Sequence, residues 1–184
     1  MSDKTGRALR RRTPAPPVRH VHLGLGNFFR AHQAWYSAHA PDAEEWGIAA
    51  FSGRSAELAL TLAAQDGLYS LDTRAADGDH VEIIGSVVAA HAADDDAAWL
   101  GYLADPAVVI VTSTVTEAGY LRGRDGHLDT EHPDVVADLA TLRTDPGAAG
   151  RTAPGKLVAG LLARRAAGAG AITFVPCDNL QSNG

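Results

Sequence analysis

The sequence predicts an α/β fold in which a mostly parallel sheet is wrapped by helices. Three observations carry that expectation. Strand-length apolar runs alternate with segments of helical period through the first 65 residues, the pattern of a parallel sheet covered by helices. The run Val108-Val109-Ile110-Val111 is apolar throughout, as a central strand buried on both faces must be. Polar residues follow it, and follow the last apolar run too, at the carboxyl ends where open α/β sheets bind ligands.

Composition narrows the class. A chain of 184 residues suits one domain with its own core. Charged residues at 21% and apolar ones at 46% are ordinary for a soluble globular protein. The net charge of −6 is unevenly placed, because residues 1–19 carry six Lys or Arg against one acid. The body is therefore acidic, which argues against a general nucleic-acid binder. Residues 1–17 are polar, basic and end in prolines, and are expected to be a disordered tail. No apolar h-region follows, and no stretch approaches the ~18 apolar residues of a membrane span. One cysteine, Cys177, excludes an internal disulfide and fits a reducing cytoplasm.

The elements follow in order. Residues 18–23 read as a strand ending at Gly24, and Phe28, Ala31, Trp35 and Ala38 predict a helix to about residue 40. Residues 46–51 form a second strand-length run, and Ser55 is placed to cap a helix with Leu58, Thr61, Leu62 and Gln65 on one face. Residues 67–73 and 80–88, joined by a short Asp- and Gly-rich turn, predict an antiparallel hairpin inserted in the parallel pattern. Asp94-Asp95-Asp96 opens a helix to about residue 103, its acids suiting the helix dipole. After the apolar run at 108–111, Asp134 is a candidate cap for a helix bearing Val135, Leu139 and Leu142. Lys156 opens another, with Leu157, Leu161 and Leu162 inward, ended by Gly168 and Gly170. Residues 172–175 are the last strand. The chain then stops on a polar loop without a closing helix, which suggests a fragment or a chain lacking a second domain.

The junction after the first strand holds the leading candidate site. Gly24 and Gly26 sit where a dinucleotide fold has its tight turn and its pyrophosphate approach, while Phe29 replaces the third glycine of G-x-G-x-x-G. A side chain at Gly26 would hold phosphates away from the N–H groups of the helix start, at Asn27 and Phe28. Arg30 adds a cation nearby. The alternative is a tight turn that binds nothing. His20 and His22 alternate on one strand face, and His127 and His132 sit among acids, but neither pair has zinc spacing.

Several pieces together resemble one family. Gly24-Leu25-Gly26-Asn27-Phe28-Phe29-Arg30-Ala31-His32, Gln65-Asp66-Gly67-Leu68-Tyr69, Thr114-Val115-Thr116-Glu117-Ala118-Gly119-Tyr120 and Cys177-Asp178-Asn179-Leu180-Gln181-Ser182-Asn183-Gly184 are similar, in order, to the N-terminal half of the polyol-specific long-chain dehydrogenases. That is the mannitol dehydrogenase and fructuronate reductase family. The resemblance implies a Rossmann-like, doubly wound domain over residues 18–184 that binds NAD or NADP. It implies reversible hydride transfer between nicotinamide and an alcohol carbon of a polyol or hexonate, without a catalytic metal. It also implies that the general base is a lysine of a C-terminal domain that this sequence does not contain, to be supplied in cis or in trans. This chain alone is therefore expected to be inactive.

On that reading Asn179 contacts the reacting oxygen, as an amide at a strand's carboxyl end can. Asp178 orients it or caps the loop and lies near the cofactor, with Thr116 lining the nicotinamide region. Arg54 and Glu57 bear on cofactor choice: an arginine accepts a 2′-phosphate, an acid holds a ribose hydroxyl. The expectation is NAD, with NADP open. A non-catalytic nucleotide-binding module, or an interaction module, is the competing class.

Overall fold

The computed structural model describes residues 8–53 and 55–178. They divide into two compact units, the first ending at Ala93 and the second beginning at Asp94.

In the first unit β1 (Val18–Leu23) pairs in parallel with β2 (Gly47–Phe51). An antiparallel hairpin follows, β3 (Tyr69–Ala75) with β4 (Gly78–Ile84). β5 (Val87–His91) then returns to pair in parallel with β2. Every residue of β2 is buried, which explains its uninterrupted Gly-Ile-Ala-Ala-Phe sequence. The expected second hairpin strand, residues 80–88, is thus two strands with different partners. The chain leaves the hairpin at Gly85-Ser86, where the Ser86 hydroxyl donates to the Ala34 carbonyl at 2.6 Å and the Ser86 carbonyl accepts from Ile48 at 2.9 Å.

The single helix expected from Phe28 is also two, α1 (Asn27–Ala31) and α2 (Gln33–Ala38). They break at His32, whose φ of −119° and ψ of −88° are not helical. The break turns Phe29 and Ala34 inward and leaves Phe28 46% exposed. Phe29 and Ala34 pack with Ile48, Leu62, Tyr69 and Ile84 in one core. α3 (Glu57–Ala63) buries Ala59 and Leu62, and Ser55 Oγ accepts from the Glu57 N–H as its first turn begins.

Residues 8–17 depart from the disorder expected of them. Arg11 donates through one guanidinium nitrogen to the carbonyls of Gly85 and Val87 at 2.8 and 3.0 Å, and its N–H donates to Asp66 Oδ2. A cation that satisfies the carbonyls between two strands holds the segment on the sheet.

In the second unit α4 (Asp96–Ala104) is capped by Asp95, which accepts from the Ala98 N–H. β6 (Ile110–Ser113) pairs in parallel with β7 (Thr173–Pro176). α5 (Pro133–Thr144) and α6 (Ala153–Ala167) lie between them in the chain. The cap of α5 is His132 rather than Asp134: its Nδ1 accepts from the Asp134 N–H at 3.2 Å. Leu161 of α6, expected inside, is exposed. The inward face instead carries Lys156, Ala159, Gly160 and Arg164, because α4 approaches so closely that Trp99 donates to the Lys156 carbonyl at 2.8 Å. Lys156 Nζ reaches Asp96 Oδ1 at 2.8 Å. No helix among the described residues is long and apolar enough to cross a membrane.

Candidate functional site

The turn between β1 and α1 is built by two glycines for two different reasons. Gly24 has φ +115°, a backbone conformation that favours glycine. Its N–H and that of Leu25 both donate to the Phe51 carbonyl, at 2.9 and 2.8 Å, so the end of β2 holds the turn. Gly26 has φ −140° and ψ −173°, extended backbone that any residue adopts. A Cβ there would meet nothing nearer than the Gly24 carbonyl at 3.6 Å. Neither backbone nor packing requires glycine at 26, and the space a side chain would fill stands open at the head of α1.

Charge is arranged around that opening. Arg30 folds back along α1, with Nε 3.3 Å from the Gly26 carbonyl and a guanidinium N–H donated to Asn27 Oδ1. A cation thus stands beside the first N–H groups of α1, where anions are favoured. Tyr69 anchors this helix by donating to the Arg30 carbonyl at 2.6 Å, and its ring lies 5.6 Å from the guanidinium. Beneath the turn, His22 is fully buried and stacked on Phe29, with centroids 3.6 Å apart. Burial lowers both strand histidines, His20 to about 4 and His22 well below the usual imidazole value, so both rings are neutral. Any stability this lends is present above about pH 6.5 and is lost as pH falls toward 4.

Gly24, Gly26, Asn27 and Arg30 are therefore brought together. Phe28 turns outward and stacks on His32 at 4.2 Å. Glu57 is exposed in the first turn of α3. Arg54 lies outside the described residues. Ser52, just beyond β2, is buried and its hydroxyl has no partner among the described residues.

In the second unit the polar residues beyond β6 and β7 meet. Asp178 is 8% exposed and accepts from the Tyr120 hydroxyl, with Ser113 Oγ 3.0 Å from that hydroxyl. Burial and the contact with Asp178 push the Tyr120 phenol up to about 12, so it stays a donor. The Asp178 side chain is thereby engaged in holding the loop. Thr116 is exposed and precedes a short turn, Glu117–Tyr120. Asn179 lies outside the described residues. Tyr120, Ser113 and the packing of His22 escape sequence reasoning, since Tyr120 and Asp178 are separated by 58 residues and no local pattern links them. Among the described residues no three His, Cys, Asp or Glu side chains gather as metal ligands do.

A mostly parallel α/β fold with a glycine turn between its first strand and first helix defines a Rossmann-type nucleotide-binding domain. A family model described as the mannitol dehydrogenase Rossmann domain matches residues 18–184, and the chain belongs to that family. It is 42% identical over 173 residues to D-arabinitol 4-dehydrogenase of Ralstonia nicotianae, covering 89% of this chain and 36% of that one. It is 41% identical over 177 residues to the polyol:NADP oxidoreductase of Gluconobacter oxydans, covering 89% and 34%. Mannitol 2-dehydrogenase of Pseudomonas fluorescens, solved as a ternary complex with NAD and D-mannitol, superposes with a TM-score of 0.77 at 34% identity, over 90% of this chain and 34% of that one. The chain thus spans about a third of the length of these relatives.

Proposed function

We propose that residues 18–184 form the NAD-binding domain of an oxidoreductase that transfers hydride reversibly between a polyol or hexonate carbon and nicotinamide. The observation that carries this is Gly26: its backbone and packing admit a side chain, so the glycine is explained by something that approaches the turn from outside. The NAD pyrophosphate is the group that fits. Gly24, Gly26, Asn27 and the start of α1 at Phe28 would receive it, with the Arg30 guanidinium adding positive charge. When bound, NAD supplies the hydride acceptor. Asp178, held by Tyr120, is next in sequence to Asn179, the residue that the resemblance assigns to the substrate oxygen. The single cysteine suits a cytoplasmic setting. Calorimetric titration of the chain with NAD tests the reading, and absence of binding would refute it.

NAD is expected to bind more tightly than NADP. Glu57, exposed in the first turn of α3, would hold the ribose hydroxyls and repel a 2′-phosphate. Glu57→Gln should narrow the NAD/NADP ratio about tenfold or more, the worth of one charge-assisted hydrogen bond. Tighter binding of NADP by the wild type, as the relative named for that cofactor suggests is attainable, would reverse the assignment.

Residues 1–184 by themselves are expected not to turn over polyols. The family resemblance puts the lysine base in the region of the relatives that this chain does not span. The described acids nearest the ends of β6 and β7 are Glu117 and Asp178; Glu117 is exposed, Asp178 is engaged with the Tyr120 hydroxyl, and the resemblance assigns neither as the base. A positioned base is worth ~10²–10⁴ in rate. NADH formation at 340 nm with a panel of polyols and hexonates measures this. Robust turnover would place a base within these residues.

A further inference from the structure

Tyr120 makes contacts in the second unit to which the proposed function assigns no task. It closes the short turn after β6, Glu117–Tyr120, and its hydroxyl donates to Oδ2 of Asp178, just past the end of β7. A phenol has one proton, so the Ser113 hydroxyl, 3.0 Å away, donates to the Tyr120 oxygen. Ser113 is the last residue of β6 and is 1% exposed. Its Oγ also lies 3.5 Å from Asp178 Oδ2. Side chains from the carboxyl ends of two paired strands thus form one hydrogen-bonded group that ends on a carboxylate. Burial and Asp178 push the phenol up to about 12, so it remains a donor through the neutral range.

The backbone on both sides fixes these groups. Leu121, the residue after Tyr120, has φ +50° and ψ +48°, a left-handed conformation that residues other than glycine rarely adopt. Strain of that kind persists where neighbouring contacts hold the chain. Here the Leu121 N–H donates to the Ala118 carbonyl at 3.2 Å, and the Leu121 carbonyl accepts from the Asp129 N–H at 2.7 Å. Across from it, the Cys177 N–H donates to the Ser113 carbonyl at 2.8 Å, which carries the pairing of β6 with β7 one residue past Pro176. Asp178 follows directly, and its side chain adds a tie back to the β6 side.

We propose that Tyr120 is a positioning residue for the nicotinamide half of the cofactor: its hydroxyl, oriented by Ser113, holds the Asp178 carboxylate and with it the stretch of chain that leaves β7. This rests on the NAD-binding reading above, in which Thr116 lines the nicotinamide region and Asp178 lies near the cofactor. Open α/β sheets bind ligands beyond the carboxyl ends of their strands, and a carboxylate held there keeps one orientation toward a ligand's hydroxyl or amide hydrogens. The consequence is selective. Loosening Asp178 weakens the hold on the nicotinamide riboside and leaves the adenosine and pyrophosphate contacts as they are.

The test titrates the 184-residue chain, Tyr120→Phe and Ser113→Ala with NAD and with ADP by calorimetry, and melts each. ADP carries the adenosine and the pyrophosphate but not the nicotinamide riboside. Tyr120→Phe keeps the ring and removes only the donor. It is expected to weaken NAD binding about fivefold or more, the worth of about one net hydrogen bond, while ADP binding stays within about twofold of wild type. Ser113→Ala should show the same split at about threefold. A purely structural role would lower both affinities together or neither. Equal weakening of NAD and ADP, unchanged NAD affinity in Tyr120→Phe, or a wild type that binds both nucleotides but NAD no more tightly than ADP overturns the inference. If Tyr120→Phe does not fold, Ser113→Ala decides: the split supports the role, and its absence overturns it. Failure of the NAD-binding reading is distinguishable, since the wild-type chain would then bind neither nucleotide.

Discussion

Replacing Gly26 by valine is expected to abolish measurable NAD binding while the chain stays folded. The two effects separate because the turn makes different demands at its two glycines. At φ −140° and ψ −173° a β-branched residue is at ease, and its Cβ would sit in ordinary contact, 3.6 Å from the Gly24 carbonyl. Valine is a poorer N-cap than glycine, so the stability cost is below about 1 kcal/mol. For the ligand the side chain occupies the approach itself. Hydrogen bonds to a charged group are worth about 1.5–3 kcal/mol each, and losing two weakens binding at least ~100-fold. Gly24→Val is the contrasting variant. At φ +115° a side chain is strained, so this change should lower stability by about 1–3 kcal/mol as well as impairing binding. Calorimetry and thermal melts on both variants read the distinction. Undiminished NAD affinity in Gly26→Val would remove the glycine turn from the binding account.

The largest expected effect on stability belongs to Arg164→Ala. This guanidinium is 3% exposed and donates to five carbonyls. Those of Gly170, Ala169 and Ala171 belong to the turn after α6, which opens with Gly168 at φ +64°, and those of Leu103 and Asp105 close α4. Truncation leaves acceptors buried without donors, at about 1–3 kcal/mol for each one water does not reach. A loss of about 3 kcal/mol or more follows, a large part of the ~5–15 kcal/mol that holds a domain together, with a fall in Tm of about 10 °C. Arg164→Lys should recover only part, because an ammonium has three donors and lacks the planar fork. A melting temperature within about 2 °C of wild type would show that water satisfies these carbonyls instead. The consequence reaches the site, since the turn that Arg164 clamps leads directly into β7 and on to Asp178.

The fold class was legible in the sequence because it depends on short-range patterning. The uninterrupted apolar run of β2 marks a strand buried on both faces, the apolar run at 108–111 marks the strand that the structure starts at Ile110 and continues to Ser113, and the two glycines mark the turn before α1. Element faces were less legible. Phe28, Ala31, Trp35 and Ala38 keep helical spacing, yet one non-helical residue, His32, rotates the pattern and puts Phe29 inside. Leu161 was expected in the core and Lys156 was not. The order is reversed because Gly160 lets α6 approach Trp99 and Leu103, leaving a long amphipathic side chain to run out to Asp96.

By itself, then, the sequence determined the succession of strands and helices, the glycine turn at Gly24 and Gly26, and the family, since each is written in residues adjacent in the chain. Tertiary structure alone decided that Gly26 is free of any internal demand for glycine. It also decided that His22 is buried against Phe29, that Arg11 straps the first residues onto the sheet, and that Asp178 is held by Tyr120. Each of these depends on a distance between groups far apart in sequence or on a backbone angle, and neither is encoded by local periodicity.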